Sequence, residues 1–253
     1  MKLFDAHLHI IDPRFALQPN NGYLPDPFTC ADYHARMKNY DLCGGAVVSA
    51  SFQGNDQNYL LDALQVLGPS FVGVTQLADT ATDDEIMRLN TAGVRAIRFD
   101  FKRGVFQNLS NLEAMALRVY ELCGWHAEFY VEAIHLNELY NTLIRLPAIS
   151  IDHLGLTKVG FESLLKLVDK GAKVKASGFG RVDFNVNNAL KQIFSINPQA
   201  LMFATDLPST RAQRIYCDDD FNLVLNAFSN DMAQNILYNN AVEFYNVTNL
   251  STT

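Results

Sequence analysis

Short aliphatic and β-branched runs recur along this chain with amphipathic stretches between them, the pattern of parallel strands buried on both faces. Eight such runs stand out: Lys2–His7, Gly45–Ala50, Phe71–Gln76, Val94–Phe99, His126–Val131, Ala148–Asp152, Ala172–Ala176 and Leu201–Thr205. Helical periodicity occupies the intervals over Cys30–Leu42, Gln57–Leu67, Asp83–Ala92, Leu112–Cys123, Leu136–Leu146, Phe161–Lys170 and Val186–Ile196. Gly44, Gly68, Gly93, Gly124 and Gly171 follow five of these segments, where a left-handed C-terminal residue is expected. Eight βα units in 253 residues match the size of an α/β (β/α)8 TIM barrel. An open doubly wound sheet is the rival, but it calls for a Gly-rich phosphate turn after the first strand, where this chain has His7 and His9. Ser177-Gly178-Phe179-Gly180 reads as a turn, and Asp218-Asp219-Asp220 as a solvated loop.

Composition narrows the partners. With 49% hydrophobic and 19% charged residues and no compositional break, residues 1–253 are expected to form one barrel domain around one large core. A formal charge of -7 disfavours nucleic acid and anionic membranes, whereas a small anionic substrate stays open if arginines gather locally. Cys30, Cys43, Cys123 and Cys217 are widely spaced and read as reduced thiols, which favours a cytoplasmic protein. No apolar run approaches the roughly 18 residues of a bilayer span, and the first strand begins with no leader-like segment before it. Oligomeric state is not legible.

The chemistry concentrates at strand ends. In Asp5-Ala6-His7-Leu8-His9 two imidazoles two residues apart share one face of a strand end, where neutral imidazole serves as ligand, base or donor. Other strand ends offer Ser51, Arg98, Glu128, Tyr130, His153, Lys175, Arg181 and Asp206. Each alone has an ordinary explanation: Asp206 as a helix cap, Lys175 snorkelling, Arg98 paired with Asp100 or Asp152. A set of them at the mouth of a barrel, where strand ends converge, points instead to a site. His34 and His135 lie in helical stretches as surface or packing residues, and His126 is structural.

His7 and His9, the segments Gly93–Phe101, Gly124-Trp125-His126, Ile151–Gly155 and Val174–Gly178, and Thr205-Asp206-Leu207-Pro208 together resemble the second family of the amidohydrolase superfamily, in its 2-pyrone-4,6-dicarboxylate lactonase-like group. The resemblance runs essentially end to end. It implies that Asp206 accepts the proton in catalysis, that His7, His9 and His153 line the reacting carbonyl, and that Tyr23, Ser51, Arg98, Arg103, Tyr130 and Arg181 hold substrate. The chain departs from that pattern at Leu207 and Ser209, where Trp and His are usual, at Arg211 in place of Asn, and at Glu128 in place of Gln; Arg103 falls one residue early. Arg211 therefore joins the candidate substrate residues, and the preferred substrate is expected to be related to the pyrone dicarboxylate without having to be identical.

Opening a lactone needs a water, a base for its proton, and donors for the oxygen that becomes anionic. Asp206 supplies the base; the three imidazoles either polarise the carbonyl directly or, with Asp206, hold zinc or manganese. Strand five lacks the Lys of a bridged two-metal site and the resembled group has metal-free members, so no metal is expected to be obligatory. Arg98, Arg103, Arg181 and Arg211 carry forked donors suited to a small carboxylated lactone. The alternatives are a metal-dependent decarboxylase or amidohydrolase on the same scaffold, and a non-catalytic carboxylate-binding barrel.

Overall fold

The computed structural model describes residues 1–104 and 109–247, without the side chains of residues 109 and 110. Eight parallel strands form one sheet in sequential order: β1 (Lys2–Leu8), β2 (Asp41–Val48), β3 (Phe71–Thr75), β4 (Val94–Asp100), β5 (His126–Tyr130), β6 (Ile149–Ile151), β7 (Lys173–Ala176) and β8 (Leu201–Phe203). The sheet closes beyond its ladder, where the Asp206 N–H donates to His7 O and the His9 N–H to Leu207 O, each at 2.8 Å. Asp5 supports that seam from its side chain, accepting from the Thr205 N–H at 2.9 Å and hydroxyl at 2.6 Å and from the Tyr33 hydroxyl at 3.1 Å. Burial pushes the Asp5 carboxyl up to about 6 against the pull of these bonds. The (β/α)8 expectation is met.

Helices α1 (Cys30–Met37), α2 (Asn58–Leu67), α3 (Asp83–Thr91), α4 (Leu109–Cys123), α5 (Leu136–Leu143), α6 (Phe161–Asp169), α7 (Val186–Ile196) and α8 (Asp218–Ala227) follow successive strands. Local chemistry sets their starts: Thr29 and Asp32 form a capping box on α1, and Thr82 caps α3 ahead of three acidic residues that suit the positive end of the helix dipole. Gly68, Gly93, Gly124 and Gly171 take positive φ at helix ends as expected. Gly44 does not, because α1 ends at Met37 and β2 already begins at Asp41. A Cβ at Gly44 would lie 2.3 Å from Ser70 O and 3.1 Å from the Phe4 ring, so a tight strand crossing excludes a side chain there. Asp218-Asp219-Asp220 is likewise no loop but the first turn of α8, with Asp220 buried against Arg214 at 2.7 Å.

The outer layer is largely apolar. Ile97, Phe99, Ala127, Phe129, Ile151, Val174, Ala176 and Phe203 point out of the strands onto the helices. The interior is divided. Phe4, Ala6, Val48, Val74, Met202 and Ala204 pack around Tyr245, which enters from the C-terminal helices (α9, Asn230–Gln234; a π turn, Asn235–Asn239; α10, Asn240–Phe244). Opposite them the alternate residues of β4 to β7 are Arg98, Asp100, His126, Glu128, Ser150 and Lys175, followed by Asp152, and all are buried. No helix among the described residues is long and apolar enough to cross a membrane.

Candidate active site

A register irregularity delivers the paired imidazoles. Phe4 and Ala6 face the interior, so strict alternation would send Leu8 inward and His7 out. The β1–β2 register shifts between Asp5 and Leu8, which reverses the phase: Leu8 joins the outer core, while His7 and His9 turn inward. Their Nε2 atoms lie 3.3 Å apart. His9 Nδ1 sits 2.8 Å from Val48 O, and His7 Nδ1 sits 3.2 Å from Lys175 Nζ.

His153 follows β6 and Asp206 follows β8, both with left-handed backbone at φ 50° and 58°. Non-glycine residues pay for that conformation and keep it where a side chain has to be aimed. The Gly178 turn makes room beneath His153, since a Cβ there would lie 2.9 Å from the imidazole and 3.0 Å from Arg181 Cδ. His153 Nδ1 pairs with Ser177 Oγ at 2.8 Å. Asp206 Oδ2 accepts from Arg181 Nε at 2.7 Å. Its buried Oδ1 has no hydrogen-bond partner among the described residues and faces Nε2 of His9 at 3.5 Å, of His153 at 3.8 Å and of His7 at 3.9 Å. Three imidazole nitrogens thus face one carboxylate oxygen.

The charges of this cluster follow from its surroundings. Burial would raise the Asp206 carboxyl, but Arg181 and the imidazoles outweigh it and hold the group well below the usual carboxylate range. Burial lowers His153 to about 4 despite Asp206 and Asp152. His7 is lowered further by burial and by the charge of Lys175, so both rings are neutral at pH 7.

The cleft above Asp206 Oδ1 is lined by His9, Ser51, Arg98, Arg103, Tyr130, His153, Arg181, Asp206 and Arg211, all but His7 and Tyr23 of the expected catalytic and substrate residues, while Glu128 and Lys175 lie below it. His7 lies beneath it, and Tyr23 stands behind Arg211 with its ring 4.3 Å from the guanidinium carbon. Arg211 donates to Asn20 Oδ1 at 2.9 Å, which ties the loop after β8 to the loop after β1. Arg103 contacts the Tyr130 hydroxyl at 3.4 Å. Arg98 takes the ordinary role foreseen for it, donating to Asp152 Oδ2 at 2.9 Å and to Ser49 O at 2.9 Å. The cleft holds about 30 Å³ of free space, room for one water. A larger groove of about 830 Å³ between α6 and α7, beside Phe161 and Phe184, includes none of these residues.

Sequence reasoning missed the layer beneath. Lys175 does not snorkel: it is fully buried, ion-paired with Glu128 and 3.5 Å from Asp152 Oδ1. Glu128 also contacts the Tyr245 hydroxyl at 2.5 Å and His126 Nε2 at 3.1 Å, which gives His126 the structural role expected of it. The signal was present as polar residues alternating with apolar ones over Ile97–Asp100 and along β5, β6 and β7.

One ligand atom each from His7, His9 and Asp206, or from His7, Asp152 and His153, lie within 4.8 Å of one another, close enough for zinc or manganese. Charge and hydrogen bonding do not suit an ion. Arg181 already neutralises Asp206, and the Lys175 ammonium occupies the rear nitrogen of His7.

A parallel (β/α)8 barrel that aims three imidazoles and a β8 carboxylate into its mouth belongs to the class of barrels that work at their strand ends. The profile of the amidohydrolase family matches residues 4–247, and the chain belongs to that family. It is 34% identical over 156 residues to the 2-pyrone-4,6-dicarboxylate hydrolase of Comamonas testosteroni, covering 60% of this chain and 51% of that protein. A 4-sulfomuconolactone hydrolase of Hydrogenophaga intermedia is 24% identical over 264 residues, 94% of this chain and 86% of that one. A crystal structure of a Pseudomonas putida protein, provisionally named a 2-pyrone-4,6-dicarboxylic acid hydrolase, superposes with a TM-score of 0.84 at 23% identity, over 97% of this chain and 98% of that one.

Proposed function

We propose that this chain, acting as one barrel domain, hydrolyses the cyclic ester of a small carboxylated lactone, with 2-pyrone-4,6-dicarboxylate as the reference substrate. The observation that carries this reading is the unpartnered Asp206 Oδ1, buried and facing three imidazole nitrogens under an arginine-lined cleft. The related proteins named for lactone hydrolysis agree with it.

In this reading Asp206 Oδ1 takes a proton from water as the water attacks the carbonyl carbon. N–H groups of the imidazole cluster donate to the carbonyl oxygen as it becomes an oxyanion; as the oxyanion collapses the C–O bond breaks and the leaving ring oxygen takes the proton held by Asp206, which restores the base. Arg103, Arg181 and Arg211, with Tyr23, Ser51 and Tyr130, receive the carboxylates; Arg98 braces the floor through Asp152. When the substrate carboxylate draws donors of Arg181 away from Asp206, the base regains proton affinity as the substrate arrives.

The test is a panel of carboxylated pyrones, sulfonated and carboxylated muconolactones and uncharged aldonolactones, offered to protein treated with chelator and analysed for metal. Turnover of carboxylated lactones by metal-free protein is expected. Activity that disappears with chelator and returns with zinc or manganese would establish the metal-dependent alternative, and no turnover of any lactone would overturn the reading.

A further inference from the structure

The residues beneath His7 support an inference that deepens the hydrolase reading and rests on it for its catalytic consequence. Lys175 Nζ is buried between two carboxylates, paired with Glu128 and 3.5 Å from Asp152 Oδ1, and its remaining close neighbour is His7 Nδ1 at 3.2 Å. An ammonium held this way has protons to give and no lone pair to accept one. Toward His7 Nδ1 it donates, so Nδ1 is bare and the proton of neutral His7 resides on Nε2. His9 shows the complementary arrangement: its Nδ1 faces Val48 O, which only accepts, so Nδ1 carries the proton and Nε2 the lone pair. The 3.3 Å contact between the two Nε2 atoms is then donor to acceptor. The opposite tautomer of His7 would set two lone pairs against each other, an arrangement that a bound cation would favour, and it would leave Asp152 Oδ1 at 3.5 Å as the acceptor of the Nδ1 proton.

We propose that Lys175 is a positioning residue that fixes His7 in the Nε2–H tautomer, supplying from beneath the cleft an N–H donor shared between His9 Nε2 and the reacting carbonyl and withholding from a metal ion the lone pair it would need. The departure at Glu128 fits this role, since a carboxylate there holds the ammonium where an amide would pair with it less strongly.

The test needs no substrate at its first step. Long-range proton–nitrogen correlation spectra of protein labelled with 15N-histidine, with His7 assigned by comparison with His7→Asn, are expected to show a protonated Nε2 and a bare Nδ1. Because Lys175→Met alone strands buried carboxylates, the informative variant is Lys175→Met with Glu128→Gln, which removes both charges together. In it His7 is expected to move toward the Nδ1–H form and zinc, titrated calorimetrically, to bind at least about tenfold more tightly. With a turned-over lactone, kcat is expected to fall about 10- to 100-fold with KM within about threefold. Lys175→Arg, which keeps a cationic donor, is expected to retain the Nε2–H form. A protonated Nδ1 in the wild-type protein, or an unchanged tautomer and zinc affinity in the double variant, overturns the proposal. A wild-type protein that hydrolyses no lactone would overturn the function proposed above while leaving the tautomer and zinc results intact.

Discussion

The two halves of the barrel interior are filled by opposite chemistry. On the side of β1 to β3 and β8, Phe4, Ala6, Val48, Val74, Met202 and Ala204 pack around Tyr245; on the side of β4 to β7, Arg98, Asp100, Glu128, Asp152 and Lys175 are buried at similar depth. An apolar contact is local and loses only its own burial when trimmed. A buried charge depends on its partners, so the ionic half acts as one unit. The imidazoles and Asp206 lie where the halves meet, with a packed wall on one side and a field of fixed charges on the other.

That contrast breaks most visibly in stability. Glu128→Ala, which removes the carboxylate shared by Lys175, His126 and the Tyr245 hydroxyl and leaves the ammonium only the Asp152 carboxylate at 3.5 Å, is expected to cost about 3–5 kcal/mol in urea unfolding. Val74→Ala, on the apolar side, removes two methyl groups and is expected to cost about 2 kcal/mol. The paired Glu128→Gln, Lys175→Met protein is expected to be more stable than Glu128→Ala, since no charge is stranded. Equal losses from Glu128→Ala and Val74→Ala would remove the distinction.

At the mouth the charges lie within reach of substrate as well as of one another, and the effects are expected to be smaller. Arg181→Met is expected to raise KM for a carboxylated lactone by roughly ten- to a hundredfold, the worth of one charge-assisted pair, and to leave KM for an uncharged lactone unchanged, while kcat shifts for both because Arg181 also pairs with Asp206. An equal rise in KM for both substrates would contradict a carboxylate-binding role for Arg181.

The pH profile sharpens the same comparison. His153, lowered to about 4, stays neutral in the folded protein down to about pH 5, and Asp206 stays ionised throughout, so kcat/KM is expected to be level from pH 8 to 5 and to fall about tenfold per unit below pH 4. In the unfolded chain the same imidazole takes its proton near 6.5, so its contribution makes stability decline as pH drops from about 6.5 to 4. Circular dichroism over that range separates unfolding from loss of the neutral ring. An acid limb near pH 6 to 7 in the folded protein would contradict the assignment.

The barrel was legible because period-two and period-3.6 patterns alternate along the chain and four of five glycines close helices as expected. The upper site was legible as well, since His7, His9, His153 and Asp206 end strands that converge. What aims them was hidden. The β1 irregularity that turns His7 inward leaves no mark in residue types, and the left-handed backbone of His153 and Asp206 falls on non-glycine residues, where no glycine announces it. Lys175 looked ordinary because burial of a lysine depends on partners on β5 and β6 that no single segment reveals. Gly44 and Asp218–Asp220 were misjudged for the converse reason: a glycine and an acidic run have common local uses, and here a strand crossing and an arginine decide.

The most direct test of the account is the turnover of a carboxylated pyrone by metal-free Asp206→Asn beside the wild-type protein. The amide keeps the volume and gives up the proton-accepting oxygen that faces the imidazoles. The account predicts that kcat falls by about 10²- to 10⁴-fold with the fold and substrate affinity retained. Turnover within about threefold of wild type, in a protein shown to be folded and free of metal, would contradict it.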